Sequence, residues 1–281
     1  MSPNVLVLQH ADILQCDLQE LTAWYGPLPA PLFEGSVLRL PIDEGRAIPA
    51  ALQAAWDAQH IDWAVLPDYA FADLGLIVSD MDSTLITIEC VDEIAAGVGL
   101  KDKVTAITER SMRGELDFAA SLRERVALLQ GLPESELARV YDEVLRLTPG
   151  AEYLLAECKR HNVKFMLVSG GFTYFTDRLQ QQLGLDYAYA NVLESDKGRL
   201  TGRLLGRMID AQAKADLLAE YRERLQLSPQ QTLAMGDGAN DIPMIAAAGF
   251  GVAYRAKPKT EAAADIRIRH GGLDAVRKWF G

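Results

Sequence analysis

Carboxylates dominate the positions in this chain that could do chemistry. Asp80-Met81-Asp82-Ser83-Thr84 follows the apolar run 74–79 (LGLIVS), and Gly236-Asp237-Gly238-Ala239-Asn240-Asp241 follows 232–235 (TLAM). Two carboxylates two residues apart on a tight turn can serve as nucleophile and acid/base at one centre. The hydroxyls of Ser83 and Thr84 suit phosphate oxygens. Asp237 and Asp241 flank small residues and Asn240, an oxygen-rich set that suits Mg²⁺, which binds through one or two carboxylates plus a substrate phosphate. Asp80, Asp82, Asp237 and Asp241 gathered at one sheet edge would repel one another unless a cation sat among them. Ser169-Gly170-Gly171 offers a hydroxyl and bare backbone N–H groups to a phosphate. Each motif also has an ordinary reading. Asp at a strand end often caps a turn, Gly-rich stretches are commonly simple turns, and Lys214 in AQAKADLL is one helix lysine, a type usually solvated. The stronger signal is the convergence of three strand ends on acidic, small or hydroxyl residues.

The elements that must position these groups can be read from apolar periodicity. Buried-type runs at 74–79, 163–168 (VKFMLV), 232–235, 249–254 and 266–268 alternate with helical stretches. That alternation predicts an α/β fold with a Rossmann-like, doubly wound parallel sheet. Ligands of such sheets bind beyond the carboxyl ends of the strands, where all three motifs fall. Residues 91–147 lack a comparable run and read as an inserted helical cap, with helical spacing clearest over 118–129. Upstream, strands at 5–8, 36–42 and 63–66 with helices at 17–25 and 47–60 predict a small N-terminal α/β domain over 1–72. Pro41 confines the second of those strands to a sheet edge. The main domain then covers 73–281. The N-terminal unit has no paired catalytic groups and reads as regulatory or dimerising, which allows a homodimer.

Composition narrows the field further. The 281 residues carry 28 Lys+Arg against 39 Asp+Glu, a net charge of −11. That balance argues against sequence-blind nucleic-acid binding and against docking on anionic lipid. A small anionic substrate remains open, because a local site can oppose the global sign. The 49% hydrophobic content supports a sizeable core, and no apolar run reaches the ~18 residues of a membrane helix. The first residues show no basic region before an apolar stretch, so no signal peptide is expected. Cys16, Cys90 and Cys158 are too scattered for a disulfide framework and read as thiols in a reducing compartment. A cytoplasmic protein is the expectation. The histidines follow no metal-binding spacing, and no GxGxxG follows a first strand, which argues against a dinucleotide oxidoreductase.

The order DMDST, SGG, an isolated Lys and GDGAND resembles the haloacid dehalogenase-like phosphohydrolases. Within them, residues 80–95 (DMDSTLITIECVDEIA), 111–126 (SMRGELDFAASLRERV) and 232–245 (TLAMGDGANDIPMI) look like the phosphoserine phosphatases, over about residues 74–270. The resemblance implies Mg²⁺-dependent hydrolysis of O-phospho-L-serine to L-serine and phosphate, the last step of serine biosynthesis. By it, Asp80 attacks phosphorus and becomes an aspartyl phosphate. Asp82 protonates the leaving oxygen and then deprotonates the attacking water. Mg²⁺ sits on Asp80, the Asp82 backbone carbonyl and Asp237, with Asp241 in support. Ser169, Gly170, Asn240 and Lys214 serve the phosphoryl group. Glu89 reads the ammonium, Arg125 the carboxylate, and Met112 and Phe118 close the apolar side. Two other readings stay open: a phosphatase or phosphotransferase for another small phosphorylated amino acid such as phosphohomoserine, and a phospho-accepting signalling receiver. Asp82 and the helical insertion count against the receiver, which needs slow dephosphorylation.

Overall fold

A computed structural model describes residues 4–112 and 115–281, apart from the side chains of 111 and 112. Three strands near the N-terminus, β1 (Asn4–Gln9), β2 (Val37–Ile42) and β3 (Asp62–Pro67), form an antiparallel sheet in the order β2-β1-β3. Seven further strands follow: β4 (Leu76–Ser79), β5 (Lys164–Phe172), β6 (Tyr187–Asp196), β7 (Arg199–Leu205), β8 (Thr232–Gly236), β9 (Phe250–Tyr254) and β10 (Ile266–Ile268). They form one sheet in the order β10-β9-β8-β4-β5-β6-β7, parallel throughout except where β7 pairs antiparallel with β6.

The sheet order follows from burial. All residues of β4, β8 and β9 are buried, as their unbroken apolar runs require of strands covered on both faces. β4 lies between β5 and β8, and the chain leaves it first towards β5 and later returns on the β8 side. That reversal opens a crevice at the carboxyl ends of β4, β5 and β8. The helical insertion after β4 comprises Cys90–Gly97, Lys101–Met112, Phe118–Ala127, Ser135–Arg139 and the turn Val140–Val144. Its two ends meet in a narrow neck: Thr87 N donates to Arg146 O (3.0 Å) and Thr148 N to Leu85 O (3.0 Å).

The β6–β7 hairpin has no counterpart in the strand runs read from the sequence. Its residues mix polar and apolar types at the sheet edge, so no continuous apolar run marks them. Its turn, Lys197-Gly198, has both φ values positive (48° and 75°), the conformation of a two-residue hairpin loop. The hairpin braces the cap: Gly131 N donates to Leu200 O (2.8 Å), Leu200 N to Leu132 O (2.8 Å) and Glu134 N to Gly198 O (3.0 Å).

Alternation along β1 sends Val5 and Val7 into the main core and Leu6 and Leu8 into a second core with Leu21, Leu52 and Trp56. Both faces of the N-terminal sheet are therefore buried within this chain. β2 is indeed an edge strand, with Pro41 near its end. Across the seam the buried Asp62 carboxylate, on β3, accepts the backbone N–H groups of Arg269 (2.8 Å), His270 (3.1 Å) and Gly271 (2.9 Å). Asp62→Ala leaves these donors without that acceptor. It should cost about 2 kcal/mol, within the usual penalty for buried unpaired donors. Urea unfolding would measure the loss, and amide exchange at 269–271 should accelerate. An unchanged midpoint with unchanged exchange would show that the clasp does not hold the two sheets together.

Among the described residues no helix is long and apolar enough to cross a membrane.

Candidate active site

β4 ends at Ser79, and Asp80 follows directly with extended backbone. The next turn is tight. Ser83 is left-handed (φ 54°, ψ 9°), and its N–H donates to Ile88 O at 3.1 Å, which folds the chain back on itself. Asp80 is 5% exposed. Its Oδ1 accepts from Met81 N (2.7 Å) and pairs with Lys214 Nζ (2.8 Å), while Oδ2 has no partner among the described residues. Burial first, and then Asp241, push the Asp80 carboxyl well above its ordinary range; Lys214 opposes them. Burial and the neighbouring Glu89 carboxylate push Asp82 up to about 8, which favours its protonated form.

Lys214 lies on the helix Ala211–Arg224, whose first turn is set by Asp210 accepting from Ala213 N (2.8 Å). It is 0% exposed, so it is not the solvated helix lysine that its local sequence allows. Its ammonium bridges Asp80 Oδ1 and Asp241 Oδ1 (2.7 Å). Burial alone would lower its pKa, but Asp241 and Asp80 outweigh burial and the net shift is upward. Asp241 Oδ2 accepts from Gly238 N (3.0 Å). A Cβ on Gly236 would sit 2.3 Å from Asp241 Cγ, so the loop after β8 closes over that carboxylate only with glycine there. Asp237 follows β8, and burial with Asp241 raises its carboxyl to about 6.

The end of β5 supplies the third piece. Ser169 is buried, and its Oγ accepts from Gly171 N (2.8 Å). A Cβ on Gly170 would meet the Phe118 ring at 2.8 Å, so the cap's Phe118 reaches down onto this loop. A cavity of about 330 Å³ opens above these groups. Asp80, Asp82, Glu89, Phe118, Arg125, Ser169, Gly170, Asp237 and Asn240 all line it. Lys214 lies behind the lining, and the Met112 side chain is outside the described residues. Glu89 occupies the N-terminal cap position of Cys90–Gly97 but makes no capping bond; it accepts instead from the Ser83 hydroxyl (2.7 Å). Arg125 Nε is buried without a hydrogen-bond partner among the described residues, and burial lowers the guanidinium pKa against the opposing charges of Asp92 and Glu89. Burial and the Asp82 charge push the Cys90 thiol well up, which keeps it protonated rather than nucleophilic.

Several groups were missed from the sequence. Asp92, Thr108 and Lys257 also line the cavity, beside Gly171 of the SGG loop that the sequence did single out. Asn191, on β6, is 1% exposed and spans two halves of the site. Its Nδ2 donates to Gly170 O (2.9 Å), and its Oδ1 accepts from Ile209 N (2.8 Å), just before the helix that carries Lys214. Lys257 lies just beyond the end of β9, so the strand-end rule that singled out Asp80 and Asp237 could have found it.

Asp80, Asp237 and Asp241 each present one carboxylate oxygen within 4.8 Å of the others; the Asp82 carboxylate is not part of that cluster. The Asp237 carboxylate accepts no hydrogen bond among the described residues, and one buried ammonium faces several acids. A hard, divalent cation fits this donor set and its excess of negative charge.

The model of the family described as haloacid dehalogenase-like hydrolase matches residues 77–246. This chain belongs to that family. As a hydrolase, it is 52% identical over 215 residues to a protein of Polaromonas sp. named phosphoserine phosphatase, covering 75% of this chain and 91% of that one. Among solved structures, a HAD family hydrolase of Salmonella enterica serovar Typhi superposes with TM-score 0.88 at 31% identity. That match covers 98% of this chain and 97% of the other. A probable phosphoserine phosphatase from Vibrio cholerae gives TM-score 0.83 at 39% identity, covering 98% and 85%. The hydrolase is thus a phosphatase with the α/β fold that its strand–helix alternation predicts, and the likeness extends through the N-terminal unit.

Proposed function

We propose that this hydrolase is a Mg²⁺-dependent phosphoserine phosphatase, working through an aspartyl phosphate. The observation that carries the reading is one cavity that joins Asp80 and Asp82 on the core side to Glu89 and Arg125 on the cap side. A phosphomonoester with an α-ammonium and an α-carboxylate matches both halves. Arg125 presents a planar fork for the carboxylate, and its Nε, without a partner among the described residues, would gain one from such a group. Glu89 offers negative charge for the ammonium. The names of the Polaromonas and Vibrio cholerae relatives point the same way.

In this mechanism the open oxygen of Asp80 attacks phosphorus. The P–O bond to the seryl oxygen breaks as Asp82, in its favoured protonated form, delivers its proton to that oxygen. Serine leaves, and Asp82, now ionised, takes a proton from the water that attacks the aspartyl phosphate. Two easier transfers replace one difficult hydrolysis. Lys214 holds Asp80 and compensates its charge, while Ser169, Gly170 and Asn240 bind the phosphoryl group. Asp80, the Asp82 backbone carbonyl, Asp237 and Asp241 are the residues that would hold Mg²⁺; when bound, it supplies positive charge to the phosphoryl oxygens. The helical insertion 91–147 serves as the specificity cap of the 73–281 domain, and residues 1–72 as a separate docked unit. Hydrolysis of phosphoserine would be the last step of serine biosynthesis, in the cytoplasm on this reading.

Phosphate release from O-phospho-L-serine, phosphohomoserine and sugar phosphates, with and without EDTA, tests the reading. Phosphoserine should be preferred by at least about tenfold, the discrimination that about 1.4 kcal/mol supplies. EDTA should abolish turnover, and added Mg²⁺ should restore it. A flat substrate profile would remove phosphoserine, and EDTA-resistant turnover would remove the metal.

A further inference from the structure

The charged groups lining the cavity are unbalanced. Among the described residues, Asp80, Asp82, Glu89, Asp92 and Asp237 line it with two cationic side chains, Arg125 and Lys257, while Lys214 pairs with Asp80 from behind the lining. Arg125 belongs to the cap and sits in the field of Asp92 and Glu89. Lys257 belongs to the core, and its backbone is fixed on both sides of Cα. Its backbone N–H donates to Asp237 O (3.1 Å), and its carbonyl accepts from Thr260 N (2.9 Å) and Glu261 N (3.0 Å). Pro258 follows it and favours the extended backbone observed (φ −70°, ψ 151°). Beyond that anchored backbone the side chain is exposed, with no ion pair or hydrogen bond among the described residues. An unpaired ammonium on a fixed base, at the rim of a cavity rich in carboxylates, offsets repulsion of an arriving phosphate. Lys214 cannot do this, because it is fully buried and committed to Asp80 and Asp241.

We propose that Lys257 is a phosphate-capture residue: its ammonium binds the phosphoryl group of the arriving substrate and the departing phosphate at the core-side rim. This rests on the site being that of a phosphomonoesterase. The chemistry at phosphorus then belongs to Asp80, Asp82 and Lys214, and Lys257 governs arrival and release. Its expected signature is a split between KM and kcat.

Steady-state kinetics of the full chain with Mg²⁺, for the unchanged protein, Lys257→Gln and Lys257→Arg, tests the assignment. Lys257→Gln retains the backbone N–H that holds Asp237, so its thermal midpoint should match the unchanged protein. It should raise KM for phosphoserine and the inhibition constant of inorganic phosphate by about fivefold, with kcat changed by less than about twofold. The fall of kcat/KM with added salt should flatten in Lys257→Gln, because one steering charge is gone. Lys257→Arg should restore both constants. Unchanged phosphate inhibition together with an unchanged salt dependence would overturn the proposal. If the unchanged protein ignores phosphoserine but Lys257→Gln still weakens phosphate inhibition, the substrate reading fails and the role of Lys257 stands.

Discussion

Asp80→Asn should lower kcat by at least about 10³-fold, equivalent to about 4 kcal/mol of activation free energy. The amide is a poor nucleophile toward phosphorus, and in the proposed mechanism the other carboxylates have other roles, Asp237 among the residues that would hold Mg²⁺. Asp241 is fully buried and bonded through both oxygens, while the proposed mechanism uses Asp82 as the acid. The fold should survive the change. Asn is nearly isosteric and keeps an oxygen to accept from Met81 N, as Asp80 Oδ1 does at 2.7 Å. The lost pairing with Lys214 is partly offset by relief of repulsion, since Asp241 and Asp82 both raise the Asp80 pKa. Phosphate release gives the rate, and thermal unfolding reports the fold. Acid quenching during turnover of ³²P-labelled substrate should leave label on the unchanged protein and none on the variant. Substantial residual turnover in a folded Asp80→Asn would exclude the covalent route and point to direct attack by water.

Lys214→Met should destabilise the protein by roughly 3–5 kcal/mol, the usual cost of stranding a buried charge by removing its partner. Here two carboxylates lose their cation at once, at 2.8 and 2.7 Å. The sign of the pH dependence follows from the raised Lys214 pKa. A base raised in the folded state contributes stability that is fully present below its ordinary value of 10.5, hence throughout the neutral range, and is lost only at higher pH. In the variant, acid should narrow the deficit, because the stranded carboxylates can then take up protons. Activity should fall as well, since Asp80 loses the group that holds its Oδ1. Urea unfolding of Lys214→Met, Asp241→Asn and the double variant separates charge from packing. The double variant should be more stable than Lys214→Met alone, because it strands fewer charges. Strictly additive losses would mean that the ion pairs contribute nothing beyond packing.

Much of the site was legible in the sequence because its parts are local. A buried apolar run followed at once by Asp80, and another followed by GDGAND, place carboxylates at strand ends whatever the rest of the chain does. That Gly236 lets Asp241 approach closely was not read from the sequence and came from the structure. Helical spacing, likewise, could not decide whether Lys214 was solvated or buried, since that depends on what the sheet brings to its face. The β6–β7 hairpin was hidden because an edge hairpin with mixed polarity has no continuous apolar run. Asn191, which ties the β5 loop to the Lys214 helix, was hidden with it.

The sequence by itself determined the chemistry on offer: two acids on one turn, an acidic Gly-rich loop, a small hydroxyl loop, and strands that carry each to its end. Only the tertiary structure decided that β4 lies between β5 and β8. That order sets Lys214 between Asp80 and Asp241 and turns Arg125 and Lys257 toward one cavity. Strand ends are fixed by neighbours in the chain, but charge compensation depends on groups far apart in sequence, which meet only when the sheet is assembled and water is excluded between them.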